Sequence, residues 1–262
     1  MPDIVLHYEV GVKVLEHLDN RIKSGINHKV FKYGLMVPDA YMSYRFFTPH
    51  FRHGVNKRGA IMHERMCNKF LVKLSLDELN VNDFSVLCGV ICHYAVDSTM
   101  HPLINKIAQD RPEIHEAMEH ALDVRELNRK GLSIAQINHY FAPYYDCSAL
   151  RDAIREVYGW DGRYLKASYR HMQFYYNIAA DRLGLINLLF QKAPGRLSSI
   201  SYKNKKCCNQ DLGIFDTLIE EAIEKSVSMI SALVAYQNGE IGVESLSSTY
   251  GNLTYTGVPE EM

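Results

Sequence analysis

Residues 81–102 read VNDFSVLCGVICHYAVDSTMHP, and this stretch decides the fold. Its apolar side chains recur at steps of three and four, the period of an α-helix. Asp83 stands where an N-cap is expected. Pro102 has no N–H to continue the ladder and is expected to end or kink the helix. Three polar side chains, His93, Asp97 and His101, interrupt the run at i, i+4, i+8. On a helix this spacing puts them on one face, a turn apart. A buried carboxylate without a partner is costly. Imidazole and carboxylate are also the ligands that zinc and similar divalent ions take, so a metal satisfies all three groups at once. For any one histidine alone, a hydrogen-bonded place in the core is the ordinary alternative.

Outward from this stretch the spacing stays helical. Ile4, Tyr8, Val12, Leu15 and Leu18 mark a helix over 4–20, and a second spans 26–35. An aromatic- and histidine-rich loop is expected over 38–57, then helices over 58–76, 112–130 (with Gly131 as stop), 133–140, 148–158, 163–191 and 214–237. Residues 194–212 read as a polar connection, and the tail from 238 is expected to fray. No strand series, repeat or linker is visible. The expectation is all-α: a single-domain multi-helix bundle over 1–240 with a polar tail over 241–262.

Composition fits that class. The chain has 262 residues, 47% hydrophobic and 23% charged, which excludes a disordered or fibrous chain. It is long enough to bury a core without disulfides. Lys plus Arg is 29 and Asp plus Glu is 30, so no basic excess favours long nucleic acids. The basic stretches at 52–58 and 203–206 read as solvated loops. The six cysteines, Cys67, Cys88, Cys92, Cys147, Cys207 and Cys208, form no CxxC pair and read as reduced thiols. The first twenty residues carry no signal-peptide pattern, and no apolar run approaches the length of a transmembrane segment. A cytoplasmic protein is expected.

The next helix carries His115 and Glu119 at i, i+4, although Glu116 and His120 share that spacing. Earlier stand His7, Asp39 and His63. Ligands from facing helices of a bundle converge inward to build metal sites. The ordered set His7, Asp39, His63, His93-x3-Asp97, His101, His115-x3-Glu119 resembles the zinc-dependent phospholipase C family, relatives of the fungal single-strand-specific nucleases. The motifs cover roughly residues 1–125. The resemblance implies an all-α fold with a zinc cluster in a cleft and hydrolysis of phosphoesters, by attack of a metal-activated water on phosphorus. It implies two or three zinc ions. His63, His93 and Asp97 would hold one, with Asp39 beside it as ligand or general base. His101, His115 and Glu119 would hold the second, and His7 with a bridging Asp97 the third. Asp123, one turn beyond Glu119, is a candidate to fix a ligand imidazole.

Three departures from the family pattern are visible. Met1-Pro2 stands where the family has a tryptophan that completes the third site. Asp97 and His101 are closer in sequence than in the secreted enzymes. Nothing after 240 is long enough for a β-sandwich lipid-binding domain. Tyr41, Tyr44, Phe46 and Phe47 follow Asp39, and aromatic walls can cage a choline group or stack a base; packing that anchors the loop is the other reading. The sequence thus predicts a zinc-dependent hydrolase of phosphodiester bonds, of the phospholipase C type, catalytic through Asp39, with Tyr41 and Tyr44 against the substrate. The expected partner is a small phosphoester or phospholipid head group. A nuclease or nucleotidase of the same superfamily and a non-catalytic helical protein held together by metal are the competing readings. Oligomeric state leaves no signature.

Overall fold

One helix, Val81–Ala108 (α6), is 28 residues long and therefore about 42 Å from end to end. The computed structural model describes residues 4–45, 54–76, 78–180, 185 and 212–260. In chain order the α-helices are Ile4–His17 (α1), Asn20–Ser24 (α2), His28–Met36 (α3), Gly54–Glu64 (α4), Cys67–Leu76 (α5), α6, Pro112–Arg129 (α7), Ser148–Tyr158 (α8), Leu165–Ala179 (α9), Phe215–Gln237 (α10) and Val243–Tyr250 (α11). Tighter 3-10 turns span Val37–Ser43, Ile134–Tyr140, Gly162–Tyr164 and Leu212–Ile214. Among the described residues there is no β-strand, and the fold is all-α. No described helix is long and apolar enough to cross a membrane.

α6 is apolar on nearly every side because it is enclosed. α3, α10, α1 and α7 pack against it, and Val86, Leu87, Cys88, Val90, Ile91 and Cys92 have no exposed surface. The tightest crossing is with α3. A Cβ on Gly89 would lie 2.3 Å from the Phe31 carbonyl, and one on Gly34 would lie 2.3 Å from the Val86 carbonyl. The two backbones therefore touch where both helices lack a side chain. Ser85 Oγ accepts from the Asn27 amide at 2.8 Å and fixes the start of α3 against α6.

Several boundaries differ from the sequence reading. Asn80, not Asp83, caps α6: its side chain accepts from the amides of Asn82 and Asp83. Asp83 instead accepts from Asn80 Nδ2 at 2.7 Å. α6 does not end at Pro102 but runs six residues further, with His101, Ile104 and Ala108 buried. Burial on both sides of the proline outweighs one lost helical hydrogen bond. The helix expected over 58–76 is two, broken at Met66, whose φ is 58°. The 38–57 stretch holds a 3-10 turn and the start of α4 rather than loop alone.

The tail expected to fray is packed. α11 buries Leu246 and Tyr250, and Tyr255 beyond it is 1% exposed. The cysteines Cys67, Cys88, Cys92 and Cys147 are free and buried. Phe46, Phe47, the basic stretch at 203–206, Cys207, Cys208 and the connection over 194–211 lie outside the described residues, as does the 163–191 pattern beyond 180 except at 185.

Gly89→Ala tests the α3–α6 contact. Alanine favours a helix over glycine by about 1 kcal/mol, so a stabilised variant is the local expectation. The close approach reverses the sign: the variant should lose about 1–3 kcal/mol. A urea midpoint at or above that of the parent would remove the contact as a constraint.

Candidate metal centre

The eight residues singled out by spacing come together from five elements. His7 lies on α1, Asp39 on the 3-10 turn after α3, and His63 on the last turn of α4. His93, Asp97 and His101 line α6, and His115 and Glu119 line α7. All but His115 are buried; the His115 side chain is 27% exposed. In three groups, one ligand atom per residue lies within 4.8 Å of the others: Asp39–His63–His93, His7–His93–Asp97 and His101–His115–Glu119. Of the two registers on α7, His115 and Glu119 join one of these groups, while Glu116 and His120 join none. The resemblance implied Asp97 beside His63 and His93, with Asp39 adjacent. In the structure Asp39 meets both rings directly, and His93 also approaches the His7 group.

Asp97 sits at the junction. Its Oδ1 is 3.2 Å from His7 Nε2, and its Oδ2 is 3.2 Å from His93 Nε2 and 3.8 Å from His63 Nε2. His101 Nδ1 is 4.0 Å from Oδ1. Asp39 places Oδ1 at 3.1 Å from His63 Nε2 and Oδ2 at 3.7 Å from His93 Nε2. In the second group His101 Nε2 and His115 Nε2 stand 3.1 and 2.8 Å from Glu119 Oε1.

What orients the rings decides what their inner nitrogens can do. His63 Nδ1 donates to the Gly59 carbonyl at 2.8 Å, His93 Nδ1 to the Leu35 carbonyl at 2.8 Å, and His101 Nδ1 to the Tyr255 carbonyl at 2.9 Å. A carbonyl only accepts, so each Nδ1 carries a proton and each neutral ring presents an Nε2 lone pair inward. His115 Nδ1 lies 2.9 Å from Asn105 Oδ1 on α6. The Leu35 contact depends on the α3–α6 close approach, because Leu35 follows Gly34.

The donor set fits a divalent metal. Four buried atoms, Asp39 Oδ1, His63 Nε2, His93 Nε2 and Asp97 Oδ2, form no hydrogen bond although they face one another. Buried polar atoms ordinarily find a partner. Nitrogen lone pairs and carboxylate oxygens converging on one space, with the outer ring nitrogens already satisfied, are what zinc takes, and the outer partners fix tautomer and orientation.

Without a metal the charges must balance by protonation. Burial alone raises the Asp97 carboxyl, but His93, His101 and His7 outweigh it and hold the pKa well below the usual range. Burial alone lowers the His93 imidazole; Asp39 and Asp97 reverse this and lift it to about 9. His101 is likewise lifted to about 9, against burial, by Asp97 and Glu119. His7 goes the other way: burial and the neighbouring His93 lower it. The His7 ring stacks on His93 at 4.0 Å and 10°.

Other expected residues fall elsewhere. Asp123 fixes no imidazole. It accepts from the Leu6 amide at 2.8 Å and so anchors the first turn of α1, next to His7. Burial pushes its carboxyl well up. Tyr41 is fully buried and Tyr44 nearly so, which leaves them little surface to offer a substrate. Tyr44 packs edge-on to Tyr164 and beside His171. Tyr255 and Asn105 carry no signal in the sequence. Tyr255 acts through its backbone, and Asn105 reads like any surface amide.

The zinc dependent phospholipase C family model matches residues 6–171, a span that contains every residue of the three groups. No curated protein and no solved structure matches the chain. Fold, donor set and match agree, and the chain belongs to the zinc-dependent phospholipase C family.

Proposed function

We propose that the chain hydrolyses phosphodiester bonds with two or three zinc ions. Asp39, His63, His93 and Asp97 hold one ion, His101, His115 and Glu119 a second, and His7 with Asp97 a third. The observation that carries this reading is the set of imidazole and carboxylate atoms, all but those of His115 buried, that converge in three groups, four of them with no hydrogen bond. Membership of a hydrolase family supports the reaction class.

Zinc supplies a Lewis acid there: it lowers the pKa of water toward about 7 and neutralises charge on phosphoryl oxygens. The remaining work falls to the protein. Asp97, whose two oxygens face His7 on one side and His93 and His63 on the other, would offer one oxygen to each of two ions. Asp39 completes a coordination sphere or takes the proton of the attacking water. A cleft of about 370 Å³ opens beside His115, the one partly exposed ligand, and Asn105, Arg111 and Glu116 also line it. The Arg111 guanidinium suits a phosphoryl oxygen. A small phosphoester or a phospholipid head group is the substrate class proposed.

Elemental analysis of protein purified without a metal-affinity tag should give two or three zincs per chain, with partial loss in His93→Ala and in His115→Ala. Metal-free protein that takes up no zinc would end the proposal. Asp39→Asn should lower phosphodiesterase turnover by about 10²–10⁴-fold if Asp39 is the base. Its zinc content tells base from ligand: unchanged for the first, reduced for the second. Unchanged turnover would remove Asp39 from the mechanism.

The pH dependence has a definite sign. His93 and His101 titrate at about 9 in the metal-free fold, so both carry a second proton at pH 7 that zinc must displace. Zinc binding should therefore release about two protons at pH 7 and progressively fewer as pH rises through 9. Calorimetry in buffers of different ionisation enthalpy reads this directly. Proton release independent of pH would contradict the arrangement.

A further inference from the structure

Residues 252–260 fold into a small hairpin that ends against the metal centre. The Thr254 amide donates to the Val258 carbonyl at 2.8 Å, the Gly257 amide to the Thr254 carbonyl at 3.0 Å and the Glu260 amide to the Asn252 carbonyl at 3.0 Å. Gly257, at φ 74°, closes the turn. These bonds leave the backbone of Tyr255, at the tip, unused within the hairpin. Its amide donates to the His63 carbonyl at 3.0 Å, and its carbonyl accepts from His101 Nδ1 at 2.9 Å. One residue thus joins α4 to α6 at a ligand of each, while its ring packs on His63 at 4.6 Å.

The hairpin is anchored on both sides of the tip. Tyr94 Oη donates to the Leu253 carbonyl at 2.9 Å. Glu260 accepts from the Cys67 amide. Gly257 lies flat on the α6 proline: a Cβ there would be 2.4 Å from Pro102 Cγ and 2.7 Å from the Ser98 carbonyl. The family match ends at residue 171, so the hairpin lies outside it.

We propose that the 252–260 hairpin is a structural part of the metal centre, with Tyr255 as the positioning residue for His101. The inference rests on the zinc reading above. Its distinctive content is selectivity. His63 and His93 take their orienting carbonyls from Gly59 and Leu35, which do not belong to the hairpin. Among these three rings, only His101 takes its orienting carbonyl from it; the Tyr255 ring also packs against His63 and His93 but holds neither ring nitrogen. Displacing the hairpin should therefore loosen the ion at His101, His115 and Glu119 and leave the others in place.

Gly257→Ala displaces the tip, because the turn disfavours a side chain and the added methyl meets the Pro102 ring. Zinc content and affinity, by competition with a chelator on the full chain, are the readouts. One ion should weaken by about 10–100-fold, the usual consequence of losing an orienting partner, with the remaining affinities unchanged. Tyr255→Phe keeps the backbone and should match the parent. Tyr94→Phe, which removes one anchor without adding bulk, should weaken the same ion by less and covers the case in which Gly257→Ala does not fold. In His115→Ala, where that ion is already lost, Gly257→Ala should cost no further zinc. Parental affinity in both Gly257→Ala and Tyr94→Phe, or equal loosening of every ion, would overturn the proposal. A parent chain that binds no zinc would overturn the reading beneath it instead.

Discussion

A carboxylate with 3% exposure lies within α6, the longest of the described helices, and much of the structure follows from the need to balance it. An ion of this kind left unpaired in the interior costs several kcal/mol. Nitrogens of four imidazoles stand within 4.0 Å of Asp97, carried by α1, α4 and α6. Those helices must therefore meet at one height along α6. Protonated rings do the balancing when no metal is bound; in the zinc reading proposed above, the ion would do it with neutral rings. For His93 the same geometry serves both states, because the proton that matters is on Nε2, the atom facing Asp97, while Nδ1 stays on its carbonyl.

Precision in such a centre is inherited from helix packing. Each orienting carbonyl belongs to a different part of the chain: Gly59 within α4, Leu35 on α3, Tyr255 beyond α11. A shift of α3 against α6 would move Leu35 and turn His93. The glycine pair at that crossing excludes side chains that would force such a shift. Metal affinity and global stability are then linked quantities, as expected where a site is assembled only in the folded state.

The parts of this arrangement that are legible in the sequence are those written locally. His93, Asp97 and His101 announce themselves as polar breaks in an apolar helix, and α8 spans the 148–158 that its amphipathic spacing marks. The order of the eight residues carries the family. Long-range facts leave no such trace. Gly34 and Gly89 each resemble a weak point in a helix until they are seen against one another. The tail is polar in composition, yet it buries Leu246, Tyr250 and Tyr255. A backbone carbonyl that orients a ligand has no residue type by which to be recognised.

Pro102 shows how a local rule can be right in its chemistry and wrong in its consequence. A proline removes the hydrogen bond to the carbonyl four residues earlier, here Ser98, and by that rule α6 should stop. The helix continues because Ile104 and Ala108 beyond it are buried, while Pro102 itself stays exposed except where the hairpin meets its ring. Gly257 lies against the ring and that carbonyl more closely than any side chain would permit. Two residues that each disfavour regular structure thus make one contact. It lies beside His101, the ligand whose orienting carbonyl the same turn supplies. The hairpin turn packs against α6 at the break in the helical ladder, so the proline belongs to the surroundings of the centre and not to the end of a helix.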